Sequence, residues 1–190
     1  MEHIPEHYKD YIEYVLVSHN SILHRVDELA KQIIEDNRNR ELVIVCVLKG
    51  AYRFSNDLIN ALYRANTHHP IRVEFIRASS YTNTKSNAAV QLDVDIECRD
   101  KNVIICEDII DTGHTMRAIL ERFNAMSARS VSVASLFLKK DTDNSYRPDY
   151  IGFEVENKFI IGYGIDYNEV FRDLDHVCVI NNRGIEAFRV

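Results

Sequence analysis

The chemistry in this chain is concentrated in Glu107-Asp108-Ile109-Ile110-Asp111-Thr112-Gly113-His114-Thr115. Two adjacent carboxylates follow the apolar run Val103-Ile104-Ile105-Cys106. A short loop comes next, and then a stretch from Thr115 to Met126 with helical character. A loop that opens a helix presents unpaired backbone N–H groups and the positive end of the helix dipole, and both suit a phosphate. Gly113 lets the backbone approach a ligand without a side chain in the way. Thr112 and Thr115 add hydroxyl donors. Glu107 and Asp108 would repel a phosphate placed on them, but they suit neutral vicinal hydroxyls or a bound cation. An acidic turn and a helix cap would account for any one of these residues. The whole run describes a site for a sugar phosphate.

The elements that must hold this loop follow from hydrophobic periodicity. Leu42 to Leu48 and Val103 to Cys106 are continuous apolar runs, typical of strands buried on both faces of a parallel sheet. Ser130 to Leu138 is a third such strand. Ile71 to Ile76, Val90 to Ile96, Tyr150 to Val155, Phe159 to Ile165 and His176 to Ile180 are further candidates. Helical spacing runs from Ile22 to Ile34, with Asn20 or Ser21 as its cap, and from about Ala51 to Ala65. Tyr8 to Val17 reads as an earlier helix. Ala78 to Ala89 is polar and aperiodic and reads as a long loop of the kind that forms lids. Strands alternating with helices make an α/β domain with a mainly parallel sheet, whose ligands bind at the carboxyl ends of the strands.

The 190 residues are 46% hydrophobic and 27% charged, and they favour one domain, 1–190. The net charge of −6 argues against broad binding to nucleic acid or to an acidic membrane surface. A phosphate ligand must then be neutralised locally, by a few cations, backbone N–H groups or a metal. Cys46, Cys98, Cys106 and Cys178 form no C-x-x-C pair and read as reduced core residues, which fits a cytoplasmic protein. The N-terminal stretch lacks the pattern of a secretory signal.

The E-D-I-I-D-T-G-x-T run after an apolar strand resembles the signature of the type I phosphoribosyltransferases. Leu48-Lys49-Gly50-Ala51, Ser80-Tyr81, Lys139, Lys158-Phe159 and Asp166-Tyr167-Asn168-Glu169-Val170-Phe171-Arg172-Asp173 narrow the resemblance to the hypoxanthine branch, and it extends from about Leu42 to Ile180. It implies a twisted, mainly parallel sheet flanked by helices, with a small hood built from the terminal segments. It implies transfer of a phosphoribosyl group from phosphoribosyl pyrophosphate to hypoxanthine or guanine, giving IMP or GMP and pyrophosphate, with Mg2+ as cofactor. It also implies a homodimer or homotetramer.

Residue by residue, the resemblance assigns Glu107 and Asp108 to the ribose hydroxyls, directly or through magnesium, and Asp166 to the metal and the purine site. The loop Asp111, Thr112, Gly113, His114 and Thr115 would cradle the 5′-phosphate, with Asp111 as acid/base near N7. Lys139 would donate to the 6-oxo group. Phe159 would stack on the base, Lys158 would flank it, and Ile160 would offer its backbone carbonyl. Lys49, Gly50 and Arg172 would contact pyrophosphate, and relatives often carry a non-proline cis peptide at the Leu48-Lys49-Gly50 turn. Ser80 and Tyr81 would ride on a closing loop. Two departures stand out. His114 occupies a position where relatives often carry Lys or a small or aliphatic residue, and Thr82 to Ala89 contains no glycine.

Other patterns carry less. His3-Ile4-Pro5-Glu6-His7 matches H-x-x-E-H, a zinc-peptidase pattern that needs both histidines on one helix face, but Pro5 interrupts it. His68-His69 before Pro70 reads as a solvated turn. Gly162-Tyr163-Gly164 begins like a dinucleotide fingerprint, but Tyr167 stands where its third glycine belongs. An adenine or pyrimidine specificity is disfavoured by Lys139 and Lys158-Phe159. A nucleic-acid-binding regulator of the same fold would need a basic face or an added helix-turn-helix.

Overall fold

A computed structural model describes the chain except residues 1–2, 39, 66–69, 81–89, 94–95 and 141–145. The side chains of 79–80 and 90–93 also lie outside the description. Tyr81, the His68-His69 pair and the 82–89 stretch therefore lie outside the described residues.

Two sheets organise the described residues. The larger has six strands: β2 (Leu42–Leu48), β3 (Ile71–Ser80), β4 (Val90–Asp93), β5 (Asn102–Ile110), β6 (Ser130–Lys139) and β7 (Tyr150–Val155), in spatial order β4-β3-β2-β5-β6-β7. Five of them are parallel, and only β4 runs antiparallel, on β3. Helices α1 (His19–Asp36) and α2 (Tyr52–Ala65) cover one face. Ile22, Leu29, Leu58 and Leu62 pack there against Ile44, Ile104 and Leu136. On the opposite face, Met116, Ile119 and Phe123 of α3 (His114–Ala125) meet Val43, Val45, Val103 and Ile105. Cover on both faces is why β2 and β5 carry unbroken apolar runs rather than alternation. Arg25 of α1 donates to the carbonyls of Ile151 and Gly152 at 2.7 and 2.9 Å and so satisfies part of the free edge of β7. No helix among the described residues is long and apolar enough to cross a membrane.

The second sheet joins the chain ends. β1 (Ile12–Val17) pairs antiparallel with β9 (Val177–Ile180), which pairs with β8 (Ile160–Ile161), and a last helix α4 (Asn182–Ala187) follows. Phe171, Leu174, Cys178 and Ile180 close a separate small core with Tyr8, Tyr11 and Phe188. This is the expected hood.

Several element boundaries differ from the sequence reading. Tyr8 to Val17 is no helix. A 3-10 turn spans Glu6–Tyr11, and Ile12–Val17 is a strand. Its partner β9 lies at the other end of the chain, so no local pattern announces the pairing. The cap of α1 is Ser18, whose Oγ accepts from Ser21 N at 3.2 Å, ahead of the expected Asn20 or Ser21. The expected strand Phe159–Ile165 shrinks to Ile160–Ile161 because Gly162, Tyr163 and Gly164 all adopt left-handed φ and turn the chain. β3 continues through Ser80, into the stretch read as loop. β5 runs on to Ile110, so Glu107 and Asp108 lie within the strand, not after it.

Candidate active site

The topology fixes where a ligand can bind. From β2 the chain moves outward to β3, whereas from β5 it moves the other way to β6, so the switch point lies between β2 and β5. A crevice opens at the carboxyl ends of strands flanking such a point. The assigned residues collect along that edge. Lys49 and Gly50 follow β2, and Ser80 ends β3. Glu107 to Thr115 complete β5 and enter α3. Lys139 ends β6, and Lys158 and Phe159 follow β7. Read across the sheet, the residues expected to hold pyrophosphate, ribose phosphate and base fall in that spatial order.

At the switch point β2 and β5 are locked closely. A Cβ on Gly50 would overlap the Asp108 carboxylate, so the missing side chain lets Asp108 sit against the turn. The Leu48–Lys49 peptide is cis, as expected for this turn. Gly164, at φ 100°, presses from the far side, where a Cβ would strike the Gly50 carbonyl. Burial pushes the Glu107 carboxyl well above the ordinary carboxylate range, and the charge of neighbouring Asp108 adds to the shift. Two crowded hard-oxygen donors are a fit for a hard divalent cation. Among the described residues no three His, Cys, Asp or Glu side chains converge on one point. A magnesium ion held here would therefore draw most of its ligands from substrate and water, as magnesium often does.

The loop expected to hold the 5′-phosphate is tied together by its own side chains. Gly113, at φ 76°, caps α3. His114 Nδ1 and Thr112 Oγ1 share a 2.7 Å hydrogen bond, and Arg117 donates to the Thr112 carbonyl at 3.2 Å. Residues 109–116 and Glu107 enclose a concavity of about 160 Å³. Arg117 is a cation at this loop that the sequence did not single out. Its place one turn into α3 was the available signal.

On the base side, Lys139 Nζ donates to Asp111 Oδ2 at 3.0 Å and to Asn157 Oδ1 at 3.2 Å. The lysine side chain is only 14% exposed, whereas Asp111 is 47% exposed. Asn157, also missed from sequence, therefore holds the ammonium in place opposite the carboxylate. Phe159 is 49% exposed, large for an aromatic ring, and stands edge-on to Tyr167 with centroids 5.2 Å apart. Lys158 does not reach toward Asp111. It donates to Tyr14 OH at 2.8 Å, lies 5.3 Å from that ring and pairs with Glu156 at 3.4 Å, so it faces hood strand β1 and shares with Tyr14 a concavity separate from that of residues 109–116. Ile160 partners Val179, and Ile180 N donates to the Phe159 carbonyl. In an antiparallel ladder this makes Ile160 a non-hydrogen-bonded pair, with its own carbonyl turned away from β9.

The third cluster surrounds Arg172. It pairs with Asp166 at 2.8 Å and donates to the Gly164 carbonyl at 2.7 Å. Asp166 Oδ2 accepts from Glu169 N at 2.8 Å. Both Asp166 oxygens thus already carry one partner. His3 and His7 do not form a metal pair on one helix face, because the 3-10 turn begins at Glu6, after His3.

The phosphoribosyl transferase domain pattern matches residues 16–168. The chain belongs to the phosphoribosyltransferase family. Among its relatives, human phosphoribosyltransferase domain-containing protein 1 is 41% identical, over 98% of this chain and 86% of that protein. Mouse hypoxanthine-guanine phosphoribosyltransferase is 41% identical, over 98% and 89%. The crystal structure of the Schistosoma mansoni hypoxanthine-guanine phosphoribosyltransferase in complex with IMP is 36% identical, with a TM-score of 0.81 over 97% of this chain and 89% of that one. The parallel five-strand core with its antiparallel hood is the type I phosphoribosyltransferase fold.

Proposed function

We propose that this phosphoribosyltransferase acts in purine salvage, moving the 5-phosphoribosyl group from phosphoribosyl pyrophosphate to a 6-oxopurine, hypoxanthine or guanine, and releasing pyrophosphate. The observation that carries the reading is the largely buried Lys139 ammonium, held by Asp111 and by Asn157, which stands two residues before the exposed Phe159. An ammonium donates and never accepts, so it matches a 6-oxo group and mismatches a 6-amino group. The mouse and Schistosoma relatives are named for the same pair of bases.

In this reading the 5′-phosphate lies on the Thr112–Thr115 amides and hydroxyls, and Glu107 and Asp108 take the ribose hydroxyls. Phe159 stacks on the base, the Ile160 carbonyl meets its edge, and Lys158 lines the wall. Asp111 accepts or returns the proton at N7 while Lys139 holds O6. The base nitrogen forms its bond to C1 of the ribose as the bond to pyrophosphate breaks, through a transition state with positive character on the sugar. Lys49, Gly50, Ser80, Tyr81 and Arg172 receive the leaving group. Bound magnesium supplies further neutralisation of its charge, and Glu107, Asp108 and Asp166 are the carboxylates that would hold the ion.

The test is turnover with magnesium and phosphoribosyl pyrophosphate against hypoxanthine, guanine, xanthine, adenine and orotate separately. Hypoxanthine or guanine should react, and Asp111→Asn should lower kcat about a hundredfold or more, the range expected for a general acid or base. Turnover with adenine or orotate alone would reject the base assignment. Binding of phosphoribosyl pyrophosphate without turnover of any base would favour a sensing role.

A further inference from the structure

Glu169 has no part in the reaction as written, yet its carboxylate sits among the cations that reaction needs. Its Oε2 lies 2.9 Å from Lys49 Nζ and 3.5 Å from an Arg172 guanidinium nitrogen. Lys49 comes from the end of β2 and Arg172 from the segment between β8 and β9, so the carboxylate bridges two distant parts of the chain. The backbone holds it there. Asn168 and Glu169 both adopt left-handed φ, at 49° and 69°. Non-glycine residues keep such angles only where their surroundings fix them. Here the Glu169 N–H donates to Asp166 Oδ2 at 2.8 Å, Tyr167 and Val170 exchange backbone hydrogen bonds at 3.1 Å, and Asn168 Nδ2 donates to the Phe188 carbonyl at 2.7 Å. The hydrogen bond from Lys49, with the charge of Arg172 behind it, lowers the Glu169 pKa, so the group is an anion at neutral pH.

We propose that Glu169 is an internal substitute for pyrophosphate: it pairs Lys49 and Arg172 while no diphosphate is bound, and it must release them when one enters. This rests on the assignment of Lys49 and Arg172 to the leaving group in the proposed reaction. The carboxylate then weakens diphosphate binding and favours departure of the product, because the cations keep a partner after pyrophosphate leaves. Lys49 and Glu169 are both more than half exposed, and exposed ion pairs are individually weak. The expected effect is therefore about three- to tenfold in affinity rather than orders of magnitude.

The decisive experiment is calorimetric titration of magnesium pyrophosphate into the full-length protein, Glu169→Gln and Glu169→Ala. Glu154→Gln serves as a control, since Glu154 pairs with Lys140 and Arg147 on β7. Both Glu169 variants should bind pyrophosphate about three- to tenfold more tightly than the unaltered chain, with the gap closing at high salt as the pairs are screened. The control should bind as the unaltered chain does. Equal or weaker binding by both Glu169 variants overturns the role of Glu169 while leaving the leaving-group site intact. Absence of pyrophosphate binding in every chain removes the leaving-group assignment, and the proposal with it.

Discussion

At the scale of single residues, Glu107 illustrates how a binding group opposes folding. Its carboxyl is raised by burial and by Asp108, so the folded chain holds a proton there that the unfolded chain, at an ordinary 4.5, has released. Where the folded state binds more protons, stability falls as pH rises. The contribution is thus fully present below the unfolded value and is lost as pH climbs toward the folded one. Urea unfolding midpoints should show the unaltered protein losing stability relative to Glu107→Gln as pH rises above the ordinary carboxylate value, and Glu107→Gln should flatten that slope. A pH dependence identical in the two chains would mean that Glu107 is not desolvated. Asn157 supports a second prediction. Removing its amide leaves Lys139 with Asp111 as its partner, a loss on the order of 1 kcal/mol for one hydrogen bond. Asn157→Ala should therefore raise KM for the base about fivefold, with KM for phosphoribosyl pyrophosphate unchanged.

At the scale of elements, two glycines divide site from scaffold. Alanine at Gly50 would meet the Asp108 carboxylate, a side-chain group that can turn aside. Alanine at Gly164 would meet the Gly50 backbone while holding a φ of 100°. Gly50→Ala should weaken phosphoribosyl pyrophosphate binding about tenfold or more by displacing a ribose ligand, with the melting temperature nearly unchanged. Gly164→Ala should unfold more easily, by about 2 kcal/mol or more, as clashes at strained backbone do. Ser18→Ala should cost α1 about 1 kcal/mol in denaturant midpoint analysis. The sequence made the parallel core legible because β2, β5 and β6 are buried along most of their length and so carry unbroken apolar runs. It made the Glu107–Thr115 segment legible because strand, carboxylates and helix opening are contiguous. It hid β1, Asn157 and the Tyr14–Lys158 contact for one common reason. Each depends on a partner far away in the chain, and local periodicity carries no record of such pairings. The left-handed turn at Gly162–Gly164 was masked by the apolar residues around it, which read as one longer strand.

At the scale of the molecule, the hood sheet lies between two cores, with Ile160, Val177 and Val179 joining the main core under α1 and α2 and the opposite face closing a small core of its own. The hood closes over Phe171, Leu174 and Cys178, whereas the six-stranded sheet is packed by three helices. Small units with short strands open before large ones. Native-state hydrogen exchange should therefore find the amides of β1 and β9 exchanging well before those of β2 and β5, and simultaneous exchange would show that the hood is no separate unit. The division of the main sheet matters too, because in the proposed reaction the base would be read by residues at the ends of β6 and β7 and the sugar phosphate by the end of β5. One consequence lies in the sulfur atoms. All four cysteines are buried and none is in a disulfide, and Cys46 and Cys106 are register partners on β2 and β5, directly beneath the carboxylates. Burial raises the thiols of Cys46, Cys98 and Cys106, and only a thiolate reacts readily with an alkylating reagent. The chain thus carries its own chemical clock: a maleimide dye added to the native protein measures how often each layer opens, and Cys178 reports the hood while Cys46 and Cys106 report the floor of the active site.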